Sequence, residues 1–174
     1  PIGGLRLPVQ LAGQYREMRH RKLIDLIEKP EWCGFAPSGE PFSKRAEDTL
    51  IPDLISIVDV HGDYQFIIFD AKYYNLQLQY NKVLRGHPGI ESITKQYLYQ
   101  LAYQPFVDAH QIGTVRNCFL MPTAASAIIS KGSVSMSMLE NLCLQPIQVR
   151  LLPADLMYRH YLENTKLDIL KLNL

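Results

Sequence analysis

Two carboxylates and one ammonium carry most of the chemical potential in this sequence. Asp53 follows Pro52 early in one apolar run, and Asp70-Ala71-Lys72 closes a second, directly after Phe66-Ile67-Ile68-Phe69. Alternate side chains of a strand share a face, so Asp70 and Lys72 point the same way. His61-Gly62-Asp63 between the runs reads as a hairpin turn. Folding there sets Asp53 opposite Asp70 to within one residue, and the three groups converge on one patch. Such a trio suits phosphodiester hydrolysis. Mg²⁺ is a hard cation held through one or two carboxylates while it keeps waters and substrate oxygens. It polarises a phosphate and lowers the pKa of water beside it. A neighbouring lysine can orient or help deprotonate that water and stabilise charge on the pentavalent intermediate. The same spacing fits an edge hairpin with solvated ends equally well, Asp70 and Lys72 then forming a surface pair of little energetic weight.

Positioning these groups requires a sheet and a core. A chain of 174 residues, 47% hydrophobic and 20% charged, is expected to form one domain over residues 1–174 with a packed interior. The runs Leu50 to Val60 and Tyr64 to Ala71 read as paired strands. Residues 14–29 carry helix formers with Leu23, Leu26 and Ile27 at helical spacing, closed by Pro30, which predicts a helix. Residues 33–48 are polar and turn-rich, an expected exposed loop with a short strand inside, and Tyr73 to Gly89 reads as a second loop. A helix is expected from Ile90 to about Val107. Ile90, Ile93, Tyr97, Leu98 and Leu101 share its apolar arc, with Gln96, Gln100 and Tyr103 along a polar stripe at the edge. Val115 to Met121, stopped by Pro122, and Ile147 to Leu152 read as strands, and Ser126 to Ser137 as loop plus short strand. Pro153-Ala154-Asp155 resembles a helix start, with Pro in the first turn and an acid beside it. These elements describe an α/β sandwich: a central mixed β-sheet flanked by helices.

Composition narrows the function classes. Eighteen Lys plus Arg against 17 Asp plus Glu, a formal charge of +1, is no basic nucleic-acid footprint. Carboxylates that hold a metal would cancel basic residues in that sum. Cys33, Cys118 and Cys143 are far apart, which disfavours a disulfide framework or structural zinc. Cys118, in an apolar run, reads as a small buried hydrophobe. The five histidines lack ligand spacing, and neither G-x-S-x-G nor a P-loop occurs. No apolar run reaches the roughly 18 residues of a membrane span and no signal-peptide pattern opens the chain, so a soluble protein of the reducing cytoplasm is expected. Beginning at Pro1 without Met, the sequence reads as the C-terminal part of a longer chain. Lys82, Arg85, His87 and Lys95 form a local basic cluster, able to follow a DNA backbone or simply to be solvated. Tyr73 and Tyr74 can stack on exposed bases, although alternation turns one of them toward the core.

Asp53, Asp70-Ala71-Lys72 and a following helix with Gln96 resemble the PD-(D/E)XK nuclease superfamily. More closely, IPDLIS, FIIFDAKYY, HPGIESITKQYLYQLAY and the strand ending FLMP resemble the LlaJI restriction endonuclease family, relatives of the McrC subunit of McrBC-type systems. The likeness runs from about Leu50 to Pro122. It implies a restriction-endonuclease-like core and a metal-dependent deoxyribonuclease acting on double-stranded DNA with Mg²⁺, Mn²⁺ being a substitute. By that resemblance Asp53 and Asp70 are the metal-binding acids, Ala71 offers its backbone carbonyl, Lys72 is the catalytic lysine, and Gln96 positions the site. Lys82, Arg85 and Lys95 are the candidate DNA contacts. Many superfamily members add a Glu from the first helix, for which Glu17 is the candidate by element order and Glu47 its competitor. The resemblance also implies a McrB-like GTPase partner with a separate DNA-reading domain, no membrane association, and room for a homo-oligomer. Two other readings remain: a repair or junction nuclease of the same superfamily, and a non-catalytic assembly subunit that docks a motor ATPase.

Overall fold

The computed structural model describes the backbone of residues 1–174 and every side chain except that of Glu140. Glu31–Phe35 (β1) and Pro41–Arg45 (β2) pair antiparallel as a separate two-stranded ribbon. The central sheet is built from Leu54–Val60 (β3), Asp63–Ala71 (β4), Thr114–Thr123 (β5), Ile129–Val134 (β6) and Ile147–Pro153 (β7), in the order β3-β4-β5-β7-β6. β4, β5 and β7 run parallel, and β3 and β6 close the two edges antiparallel. Helix Ile90–Ala109 (α1) connects β4 to β5, and Ala154–Leu162 (α2) follows β7. This is a mixed α/β architecture. Among the described residues no helix is long and apolar enough to cross a membrane.

The β3–β4 hairpin turns on two residues, His61 (φ 56°) and Gly62 (φ 93°). Both occupy the left-handed region that a two-residue hairpin turn of this hand demands, and glycine does so at no steric cost. Asp59 Oδ1 accepts the Gly62 N–H at 2.7 Å and braces the turn. The register Leu54↔Phe69 through Val60↔Asp63 follows, and one further step sets Asp53 against Asp70.

Alternation along β4 divides the core. Phe66 and Ile68 pack with Tyr99, Tyr103 and Phe106 of α1 and with Ile2, Tyr15 and Ile27 from the N-terminal segment. Ile67 and Phe69 face the other way, onto Cys118, Leu152 and the C-terminal Leu172. Toward the far side of the sheet, Tyr97, Phe119, Met121, Ile147 and Val149 make a third buried group. Cys118 is a fully buried small hydrophobe, its thiol pushed up to about 12 by burial.

Several segments depart from the pattern-based expectation. Residues 14–29 form no α-helix, only 3₁₀ turns at Gly13–Arg16 and Leu23–Leu26. The Arg19 and Arg21 carbonyls, which a helix would spend on its next turn, accept instead from the N–H groups of Gly3 and Ile2, each at 2.8 Å. Isolated helix propensity is too weak to compete with these long-range bonds, and Leu23, Leu26 and Ile27 reach the core without an α-helix. The exposed 33–48 segment contributes to two strands rather than one short one, and β5 continues through Pro122 to Thr123. Proline is tolerated there because the pairing with β4 has stopped at Leu120 and no strand on that side would take its N–H.

The sharpest difference is the face of α1. Ile90, Leu98 and Leu101 of the supposed apolar arc are exposed, while Gln96, Gln100 and Tyr103 of the supposed polar edge are buried. The glutamines face the sheet because a buried polar partner waits for them there.

Candidate active site

Asp70 and Lys72 sit at the carboxyl end of β4, on the face that Phe66 and Ile68 turn toward α1. In open α/β sheets, crevices at the carboxyl ends of parallel strands are where ligands bind. Asp70 is 7% exposed, and Lys72 Nζ lies 2.5 Å from its Oδ2 and 6.0 Å from the ring centroid of buried Phe119. The Lys72 N–H extends the ladder by donating to Leu120 O at 2.8 Å, which holds the lysine in line with the strand. Asp53, one residue ahead of β3, accepts the Ala71 N–H on Oδ2 at 2.8 Å. That bond spans the two strands and ties the first carboxylate to the peptide linking the other two groups.

Burial pushes the Asp70 carboxyl above its ordinary value. Lys72 pulls it down again through its hydrogen bond and charge, and the nearby Asp53 carboxylate raises it further. The two acids thus repel each other where only one ammonium compensates them.

Behind the acids lies a buried polar ladder. Gln96 Nε2 donates to Ile68 O (2.8 Å) and to Asn117 Oδ1 (3.3 Å), and Asn117 Nδ2 donates to Gln100 Oε1 (2.6 Å). Gln96 and Asn117 are wholly buried. The ladder locks α1 to β4 two residues before Asp70 and to the neighbouring β5. Tyr99 OH donates to Ile51 O at 2.9 Å, anchoring the irregular segment that leads into Asp53. Burial, and then the charges of Asp70 and Asp53, push the Tyr99 hydroxyl up.

Pattern reading assigned no role to Asn117 or Tyr99. A lone Asn inside the apolar strand Val115 to Met121 is the signal that could have found the first, since a buried amide requires partners. Nothing local marks Tyr99.

The remaining candidates are dispersed. Glu17 is exposed at the end of the first of these 3₁₀ turns, and Glu47 lines a groove between the N-terminal segment and the outer face of α1. Among the described residues no three His, Cys, Asp or Glu side chains gather as a metal-holding group, so the convergent acids are Asp53 and Asp70. Lys82 and Arg85 share the rim of a recess of about 570 Å³ formed within the 77–85 loop, while Lys95 is exposed on α1 and His87 on the same loop as the recess. Tyr73 and Tyr74 are both exposed, at 88% and 41%. Neither enters the core, because the β4–β5 ladder ends with the Lys72 N–H and the rule of alternation ends with it.

The LlaJI restriction endonuclease family model matches residues 17–154, and the chain belongs to that family. It is 34% identical over 143 residues to the Type II restriction enzyme BsuMI component YdjA of Bacillus subtilis strain 168. That match covers 81% of this chain but 29% of the relative's length, so the chain spans under a third of the curated protein it matches. No solved structure matches.

Proposed function

We propose that this domain is the DNA-cleaving unit of a restriction system, a Mg²⁺-dependent endonuclease with a PD-(D/E)XK core. The observation that carries the reading is the convergence of Asp53, Asp70 and Lys72 at the carboxyl end of a parallel strand. Family membership and the restriction-enzyme relative support it.

The donor set suits a hard divalent cation. Asp53 and Asp70 are oxygen donors whose mutual repulsion a cation would relieve, and Ala71, which offers its carbonyl, directly follows Asp70. Mg²⁺, with Mn²⁺ as a substitute, would be held by these groups and would supply charge neutralisation at the phosphate and easier ionisation of water. The chain's own residues do the rest. Lys72, held by Asp70 and backed by the Phe119 ring, presents an ammonium to the oxygens on which charge develops. Asp70, partly desolvated, keeps that ammonium oriented. Gln96 fixes the strand carrying both, through Ile68 O. Lys82, Arg85 and Lys95 supply sequence-independent attraction to the DNA backbone.

A net charge of +1 offers DNA little overall attraction, so the chain's own contacts rest on local cations and carry little sequence information. Recognition is therefore assigned to a separate subunit, a McrB-like GTPase with its own DNA-reading domain, in keeping with a relative described as a component. The deciding assay is plasmid nicking with Mg²⁺, with and without that partner, by wild type, Asp70→Ala and Lys72→Ala. Loss of cleavage in both variants is expected. Equal nicking by all three overturns the reading in favour of an assembly subunit, and preference for branched over linear DNA moves it to a junction or repair nuclease.

A further inference from the structure

We propose that the groove immediately beyond Lys72 binds an unpaired nucleotide of the strand being cut, stacking its base on Tyr73 and Tyr74 and meeting its phosphate with Lys131. This deepens the nuclease reading and rests on it. The groove, about 620 Å³, lies between the strap Tyr73 to Leu76 and the strand ends at Pro122, Ile129 and Lys131.

Three observations support a nucleotide as its occupant. The first is position. The chain leaves the sheet at Ala71, and Tyr74 follows Lys72 by two residues, at most about 7 Å of backbone. That is the scale on which one nucleotide follows the next. The second is chemistry. The lining combines two exposed aromatic rings, apolar Leu76, Pro122 and Ile129, one cation at Lys131 and no acidic residue. Aromatic faces beside a single positive charge match a base and its phosphate, and stacking of this kind tolerates any base. An intact duplex hides its base faces, so the fit is to a nucleotide that is frayed, extruded or single-stranded.

The third is construction, for the strap is held on both sides. Leu76 packs onto the buried group of Tyr97, Phe119 and Met121. On the loop side Gly86 (φ 60°) approaches so closely that a Cβ there would stand 2.0 Å from Asn75 O. Only glycine permits that closure, and it fixes Asn75 beside the two tyrosines.

The test measures fluorescence anisotropy of a labelled single strand of about 12 thymidines, and of a duplex of equal length, against the full chain in EDTA. Single-strand binding tighter than duplex binding is expected, weakened about tenfold by Tyr73→Ala/Tyr74→Ala and again by Lys131→Glu, with little change for duplex. These side chains are at the surface, and circular dichroism verifies that the variants fold. Unchanged single-strand affinity in the variants, a duplex preference, or no binding of either oligonucleotide overturns the proposal. Failure of the underlying reading looks different. Loss of single-strand binding in the groove variants, combined with wild-type protein that never nicks plasmid, would leave a nucleotide groove without a nuclease. Nicking abolished by Asp70→Ala, with oligonucleotide affinity indifferent to the groove variants, would leave the nuclease and remove the groove.

Discussion

The face of the central sheet beneath α1 is held by amides buried among aromatic rings, whereas the opposite face is closed by the chain's own C-terminal tail. On the first, Gln96, Asn117 and Gln100 form a directional ladder that ends two residues from Asp70. On the second, Ile67, Phe69, Cys118 and Leu152 pack against Leu172, and one buried arginine holds the tail. Arg150 Nε donates to Leu172 O (2.7 Å) and Nη2 to Asn173 O (2.6 Å). Apolar packing tolerates small shifts, whereas buried hydrogen bonds specify one arrangement. The polar face therefore sets where the acids stand, and the tail face contributes mainly cohesion.

That division can be broken at its strongest point by Asp70→Asn. Cleavage should fall at least about 100-fold, the scale for losing one group that stabilises developing charge. The thermal midpoint without metal should hold or rise. Because burial raises the folded-state pKa of Asp70, the folded protein takes up a proton there more readily than the unfolded chain does. Its contribution to stability is present below the unfolded pKa and lost as pH rises through the raised folded value. At neutral pH the carboxylate is a cost, and Asn removes it. Melts with added Mg²⁺ should show stabilisation of wild type and none of the variant; a lowered metal-free midpoint would contradict this account.

The opposite face predicts the reverse pattern. Arg150→Met strips two tail carbonyls of their donor and should cost about 1–3 kcal/mol, read as a fall of roughly 2–4 °C in midpoint per kcal/mol. Amide exchange over residues 165–174 should accelerate while cleavage at 25 °C is unchanged. Loss of cleavage without a shift in the melt would show that the two faces do not divide the work in this way.

Asn117→Leu tests the ladder itself. It leaves the Gln100 carbonyl oxygen without its donor and deprives Gln96 of an acceptor, at about 1–3 kcal/mol, and should also lower cleavage about tenfold by loosening α1 over β4. A purely structural residue would shift the melt alone. The smallest effect is expected from Tyr99→Phe. Loss of the bond to Ile51 O should cost about 1 kcal/mol and reduce Mg²⁺ affinity by up to about tenfold, measured by metal titration of the midpoint. Unaltered affinity would separate Asp53's position from Tyr99.

How much of this was legible depended on whether the cause was local. The hairpin over residues 54–71 was, because period-two apolarity and a Gly-containing turn are written in consecutive residues. Residues 14–29 misled for the opposite reason, since the N–H groups that capture the Arg19 and Arg21 carbonyls come from residues 2 and 3. For α1 its existence could be read but not its face: the leucines gave a plausible stripe, while burial of Gln96 and Gln100 depends on Asn117, which reaches them only after β5 has paired with β4. Both tyrosines beside Lys72 escape the core for a related reason, as strand pairing ends with the Lys72 N–H.

Amino-acid order alone determined the two strands, the turn between them and the spacing that brings Asp53, Asp70 and Lys72 together, because each follows from backbone periodicity within the twenty residues 53–72. Tertiary structure decided which side of α1 goes inward, which amides are buried, and that Tyr99 reaches the segment before Asp53. Those outcomes belong to pairs of groups far apart in the chain, and hydrogen bonds and desolvation act only once folding has brought such groups within a few ångströms.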